Sequence, residues 1–372
     1  MEQNKNIFNL SNFTYKLSPS LVAQEPVSPR DSSRLLIVKR KDKSIQEVVF
    51  KEIVNFLNAG DVLVLNDTKV IKAKLLGRKE RPACDSSSGG LPAGRQGSRQ
   101  RRDGAKIDVL LVKEKEKGIW QVLASPAKRV RVNDLIIFEE GKLTAKVLER
   151  SSDGGRVLQF FPKDIDSLLE TVGKPPLPHY IKKEIDDFQK YQTIYAKKEG
   201  AIAAPTAGLH FTPSLLSEID KKGVKIVYVT LHCGLATFRP VKTEDIRSHS
   251  MESEWIDVSS SVEKTVNSAK KAAAKIIAVG TTSIRTSESV AFTAKDGNSY
   301  IKSFSGETNL YIMPGYKFKI INAALTNFHT PCSTNLILVS CFCGLDLIKQ
   351  AYDYAIKQKF RFFSFGDAML II

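Results

Sequence analysis

Five short stretches of this chain gather hydroxyls, amides, histidines and small residues where apolar runs end. Asn66-Asp67-Thr68 follows the run Asp-Val-Leu-Val-Leu and offers an amide, a carboxylate and a hydroxyl that suit a ribose or a base edge. The same tripeptide is also ordinary turn chemistry. Residues 201–212 combine tiny side chains, which let backbone approach a flat ligand, with Thr206, His210 and Thr212. There Thr212-Pro213 has the form of a helix N-cap followed by a first-turn proline. His232 comes directly after the run Val-Lys-Ile-Val-Tyr-Val-Thr-Leu and before Cys233-Gly234, which places it at the mouth of a sheet. Gly280-Thr281-Thr282-Ser283 and Arg285 follow Lys-Ile-Ile-Ala-Val. Hydroxyls and free amides at a helix N-terminus suit a carboxylate or phosphate. Thr326-Asn327-Phe328-His329 repeats the mixture of amide, aromatic ring and histidine at a strand-to-helix junction.

Several chemistries are excluded by spacing. Histidines at three strand ends raise the idea of a metal site, but neither His-Glu-x-x-His nor paired Cys-x-x-Cys occurs, so no metal is expected. A serine-hydrolase elbow, a Walker loop and a dinucleotide-binding glycine fingerprint are absent as well.

The elements that must position these residues follow from hydrophobic period. Residues 35–38 and 61–65 read as buried strands, with an amphipathic helix over 45–57 between them. Beyond residue 67 short strand-like pieces follow one another with turns between, the pattern of a small all-β barrel. From about residue 175 strands and helices alternate again, which implies a mostly parallel sheet with ligands at the carboxyl ends of its strands. The expected fold is therefore α/β: a large, discontinuous domain of residues 1–66 and 173–372, with a β-barrel domain inserted at 67–172. Inside the barrel segment, residues 82–104 are rich in Gly, Ser and Arg and read as a disordered hairpin loop, a tolerated insertion at a loop tip.

A length of 372 residues suits two domains, and Lys plus Arg exceed Asp plus Glu to give a net charge of +16. That surplus favours a polyanionic partner, since neutralising phosphates releases counterions. No apolar stretch has the ~18–20 residues of a membrane span, and the first residues do not form a secretory signal. Cys84, Cys233, Cys332, Cys341 and Cys343 are odd in number and scattered, which points to reduced thiols and a cytoplasmic setting. The Cys341-x-Cys343 pair lies in an apolar run and reads as buried small hydrophobes.

In order along residues 13–371, the strings AQEPVSPRDSSRLL, GDVLVLNDTKVIKAKLLG, KPPLPHYI, YQTIYAKKEGAIAAPTAGLHFT, VTLHCGLATFRPV, HSMESEW, AVGTTSIRTSES, PGYKFKIINAALTNFHTPCST and FRFFSFGDAMLI resemble the S-adenosylmethionine:tRNA ribosyltransferase-isomerase family of the queuosine pathway. The resemblance implies an enzyme acting on transfer RNA that carries 7-aminomethyl-7-deazaguanine at the wobble position of a G-U-N anticodon. Such an enzyme moves the ribosyl part of S-adenosylmethionine onto the aminomethyl group and isomerises it to the epoxycyclopentane of epoxyqueuosine, releasing adenine and methionine. The implied route begins with loss of a proton beside the sulfonium, and S-adenosylmethionine is a consumed substrate, not a cofactor.

That chemistry assigns expected roles. His210 or His232 is the base or proton shuttle, because an imidazole suits proton transfer at neutral pH. Asp67 or Glu288 orients the histidine or binds the ribose, with Asn66 and Thr206 beside the substrate. Thr281, Thr282, Ser283 and Arg285 anchor the methionine carboxylate, and Asn327 and His329 bind adenine or the modified base. The chain departs from the family pattern at Cys233, Leu235 and Ala236, and in the 82–104 insertion. A monomer without membrane attachment is expected. An S-adenosylmethionine-dependent RNA methyltransferase and a non-catalytic RNA-binding module are the competing readings, and product analysis separates them.

Overall fold

The computed structural model describes residues 6–80, 104–151, 154–234 and 240–372. Cys84, Leu235, Ala236 and nearly all of the 82–104 insertion lie outside the described residues. In chain order the structure has β1 (Arg34–Val38), β2 (Ile45–Val49), β3 (Val62–Asn66), β4 (Thr68–Val70), β5 (Lys74–Lys79), β6 (Lys106–Glu116), β7 (Ile119–Ser125), β8 (Leu135–Phe138), β9 (Leu143–Arg150), β10 (Arg156–Phe161) and α1 (Asp166–Val172). There follow β11 (Lys198–Ala201), α2 (Pro213–Lys221), β12 (Lys225–Leu231), β13 (Glu254–Val258), α3 (Ser260–Lys271), β14 (Ile276–Val279) and α4 (Gly280–Ser289). The chain ends with β15 (Ala291–Thr293), β16 (Ser299–Ile301), β17 (Phe304–Thr308), β18 (Ala323–Asn327), α5 (Thr334–Cys343), α6 (Leu345–Lys357) and β19 (Ala368–Ile371).

Contacts divide the chain into one unit of Met1–Val70 with Leu177–Ile372 and another of Ile71–Pro176. The first carries a nine-stranded sheet in the order β17-β13-β12-β3-β14-β18-β19-β1-β2. Its centre, β12-β3-β14-β18, is parallel, and antiparallel pairs flank it. The central strands are short, almost wholly apolar runs because both of their faces are covered. Along β1 and β3 successive side chains go to opposite faces: Leu36, Val38, Val62 and Val64 join one core, Leu35, Ile37, Leu63 and Leu65 the other. Helix α3 buries Val262, Val266 and Ala269 at helical spacing, and Ser259 caps it by accepting the Val262 amide.

The second unit is a closed antiparallel barrel, β10-β7-β6-β5-β8-β9. Its strands alternate buried and accessible residues, as in Ile107, Val109 and Leu111 of β6. β4 belongs with the first unit, because Thr68–Val70 pairs in parallel with β11.

One expected helix is not there. The stretch 45–57 forms strand β2 and a 3-10 helix, Phe50–Phe56. β-Branched Ile45, Val48 and Val49 pair antiparallel with β1, so cross-strand pairing overrides the helical spacing. Glu52 then accepts the Val49 amide at 3.0 Å, and one tight turn suffices to bury Phe50, Ile53 and Val54. Among the described residues no single helix is long and apolar enough to cross a membrane.

Candidate functional site

The polar stretches collect at one edge of the large sheet. β3, β12, β14 and β18 run in the same direction, so Asn66, His232, Gly280 and Phe328 leave the sheet at its carboxyl edge. Gly280 makes the reversal from β14 into α4 with φ +86°, a conformation that L side chains rarely adopt. Val279 at the N-cap of α4 supplies no side-chain acceptor, so the first-turn amides have no cap of their own.

At this edge lies a cavity of about 370 Å³, within the range of small-molecule sites. Thr206, Thr281, Thr282, Asn327 and His329 line it, together with the tiny residues Ala203, Ala204 and Ala207 and the rings of Tyr180, Tyr191 and Phe328. Thr282 Oγ1 is buried without a protein hydrogen-bond partner, a situation that folding normally avoids and that suits a ligand atom. Asn327 donates to the Phe363 carbonyl at 3.0 Å, which fixes its amide in the wall.

His329 is held from three sides. Thr326 Oγ1 lies 2.7 Å from its Nε2, its amide donates to the Tyr352 hydroxyl oxygen at 2.8 Å, and its carbonyl accepts the Tyr15 hydroxyl. Burial lowers its pKa to about 3, so the imidazole is neutral at neutral pH.

The other two expected histidines do not line this cavity. His210 is buried, stacked on Phe50 at 4.8 Å, with Nδ1 2.8 Å from Ser33 Oγ. Burial lowers its pKa to about 3, Arg361 and Arg30 push the same way, and the Asn327 side chain opposes them. His232 stacks on Trp255 at 5.0 Å and bonds Thr68 Oγ1 through Nδ1 at 2.8 Å. Its pKa is lowered by burial, while Asp67 favours the charged form and Lys198 disfavours it. Gly200, at φ +139°, leaves room for this ring: a Cβ there would sit 2.9 Å from it.

The remaining expected residues divide between wall and scaffold. Asn66 is occupied in joining strands: its amide donates to the Leu231 carbonyl, and its Oδ1 accepts the Leu231 and Thr68 amides. Asp67 accepts the Thr230 hydroxyl at 2.6 Å and borders a separate groove with Tyr195, Lys198 and Tyr228. Ser283, on the first turn of α4, is fully buried and lies outside the cavity lining. Arg285 pairs with Glu254 and donates to the Leu310 carbonyl, both members of the pair being under a tenth exposed. Glu288 accepts the amides of Lys319, Ile320 and Ile321 and the Tyr316 hydroxyl, which pins that loop to α4.

Tyr180, whose hydroxyl lies 2.8 Å from Ser364 Oγ, completes the wall with Phe363 and His179. These come from the strings KPPLPHYI and FRFFSFGDAMLI, which carry no polar cluster at a strand end and so gave no chemical signal. Among the described residues no group of three or more His, Cys, Asp or Glu is placed to hold a metal ion.

Comparison with known proteins agrees with this architecture. The family model described as queuosine biosynthesis protein matches residues 10–371. A protein of Halothermothrix orenii named S-adenosylmethionine:tRNA ribosyltransferase-isomerase is 45% identical over 361 residues, covering 97% of this chain and 98% of that protein. One of the same name from Caldanaerobacter subterraneus subsp. tengcongensis is 46% identical over 363 residues, 97% and 99% of the two chains. The crystal structure of an S-adenosylmethionine tRNA ribosyltransferase from Thermotoga maritima aligns with 97% of this chain and 100% of its own at a TM-score of 0.52 and 34% identity. With matches of this extent in sequence and in fold, the chain belongs to the queuosine biosynthesis protein family.

Proposed function

We propose that this protein transfers the ribosyl moiety of S-adenosylmethionine to 7-aminomethyl-7-deazaguanine at the wobble position of transfer RNA and isomerises it, giving epoxyqueuosine with release of adenine and methionine. The observation that carries this reading is the cavity at the carboxyl edge of the parallel strands, where the uncapped first turn of α4 meets a neutral histidine. Thr281 and Thr282, with the α4 amides, take the methionine carboxylate. The tiny residues and the Phe328, Tyr180 and Tyr191 rings receive flat adenine, and Asn327 faces its edge or that of the modified base. S-adenosylmethionine is consumed as a substrate. Its sulfonium acidifies the adjacent C–H, so the proposed route calls on no metal. The +16 charge suits transfer RNA as partner, and that partner implies a cytoplasmic setting.

The test is product analysis. Purified protein is incubated with S-adenosylmethionine and transfer RNA bearing the 7-aminomethyl base, and the small molecules are analysed by mass spectrometry. RNA-dependent release of adenine and methionine in equal amounts is expected. Formation of S-adenosylhomocysteine would instead mean methyl transfer, and no turnover would leave an RNA-binding protein.

A further inference from the structure

We infer that His329 is the base that removes the proton beside the sulfonium, and that Tyr15 and Tyr352 are positioning residues acting through it. This inference rests on the ribosyl-transfer reading above. Of the five histidines, only His329 and His179 line the cavity. His179 is exposed, and among the described residues its ring has an edge contact to Tyr180 at 5.5 Å. A ring so placed exchanges with water and lacks a fixed direction, whereas the carbanion intermediate needs an oriented base away from solvent.

His329 is half-buried in the cavity wall and its direction is fixed. Its backbone is gripped at the amide by Tyr352 and at the carbonyl by Tyr15, and its Nε2 is engaged by Thr326. Nδ1 therefore remains as the ring nitrogen with no partner among the described residues. The two tyrosines meet edge to face at 5.0 Å, and Phe328 packs on Tyr352 at 5.3 Å. This aromatic block ties the N-terminal segment and α6 to the residues after β18. The Cys332 amide adds a bond to the Phe13 carbonyl at 2.8 Å. Thr326 Oγ1 is the hydrogen-bond partner of the ring, the two tyrosine hydroxyls hold the backbone, and burial is the cause of the lowered pKa.

The proton balance closes within the site. The C–H bond beside sulfur breaks, an N–H bond forms on Nδ1, and the electron pair stays on carbon as an ylide. Positive charge passes from a sulfonium that becomes part of the neutral ylide to the imidazolium, so the site gains no net charge. The ylide pair then forms a C=C bond to the neighbouring ribose carbon as that carbon's bond to the ring oxygen breaks. The oxygen forms a C=O bond at the anomeric carbon, the bond to adenine breaks, and the imidazolium returns the proton to the adenine nitrogen. A buried imidazolium is a willing acid for this second step.

The experiment compares wild type, His329→Gln and Tyr15→Phe with S-adenosylmethionine deuterated at the carbon beside sulfur. Binding of S-adenosylmethionine is measured by equilibrium dialysis, and adenine release with modified transfer RNA gives kcat, KM and the isotope effect. His329→Gln should bind S-adenosylmethionine within about threefold of wild type yet turn over at least about a hundredfold more slowly. Tyr15→Phe should lower kcat several-fold at unchanged KM and enlarge the isotope effect, a change that loss of stability alone would not cause. The proposal is overturned if His329→Gln keeps more than about a tenth of wild-type kcat, or if it loses binding together with turnover. Absence of adenine release from wild type would instead sink the functional reading, and this inference with it.

Discussion

His210 illustrates how burial decides a residue's part. Its ring is covered by Phe50 and its Nδ1 is bonded to Ser33, and its pKa falls from 6.5 to about 3. In the unfolded chain the imidazole takes up a proton as pH falls below about 6.5, whereas the folded chain refuses it until about 3. The associated stability is therefore complete above the unfolded value and is lost as pH falls through that window, at up to ~1.4 kcal/mol per pH unit. Urea midpoints measured between pH 7 and 4 should decline with acid in wild type and less steeply in His210→Gln. Equal slopes would mean that this histidine is not held neutral by the fold.

Helix α4 does two jobs with its two ends. Its first turn carries Thr281 and Thr282 into the cavity wall, while Glu288 in its last turn holds the loop around residues 316–321 through three amides and a tyrosine hydroxyl. Arg285 between them is locked to Glu254, whose other oxygen accepts the Gly234 amide at 2.8 Å just after His232 and Cys233. The carboxylate of Glu288 thus belongs to the scaffold of the helix. Glu288→Ala leaves several buried amides unpaired and should cost on the order of 3 kcal/mol or more in chemical denaturation. A loss below about 1 kcal/mol would show that water replaces the carboxylate there.

At the scale of the whole molecule, the excess of 56 Lys and Arg over 40 Asp and Glu acts through long-range attraction and counterion release. Affinity for transfer RNA should fall by at least about tenfold between 50 and 200 mM salt, while affinity for S-adenosylmethionine, set inside the cavity, changes little. Filter binding and equilibrium dialysis across a salt series measure the two. Equal sensitivity of both, or of neither, would remove the argument that the basic surplus serves RNA.

The α/β architecture, the inserted barrel and the strand-end position of the polar clusters were legible in the sequence, because burial on one or two faces writes a period into the residues themselves. Thr212 as the N-cap of α2 and the residues around Gly280 and Phe328 could be placed for the same local reason. The stretch 45–57 was misread, since β2 exists only through pairing with β1, a partner that local spacing does not encode. The choice among histidines also lay beyond the sequence. His210, His232 and His329 each follow an apolar run and look alike there. Only the folded chain seals the first against Phe50, stacks the second on Trp255, and turns the third into the cavity wall between Tyr15 and Tyr352, whose hydroxyls arrive from opposite ends of the chain. Side-chain type and order set which chemistries were available. Long-range packing, which fixes solvent access and hydrogen-bond partners, decided which of these residues line the cavity.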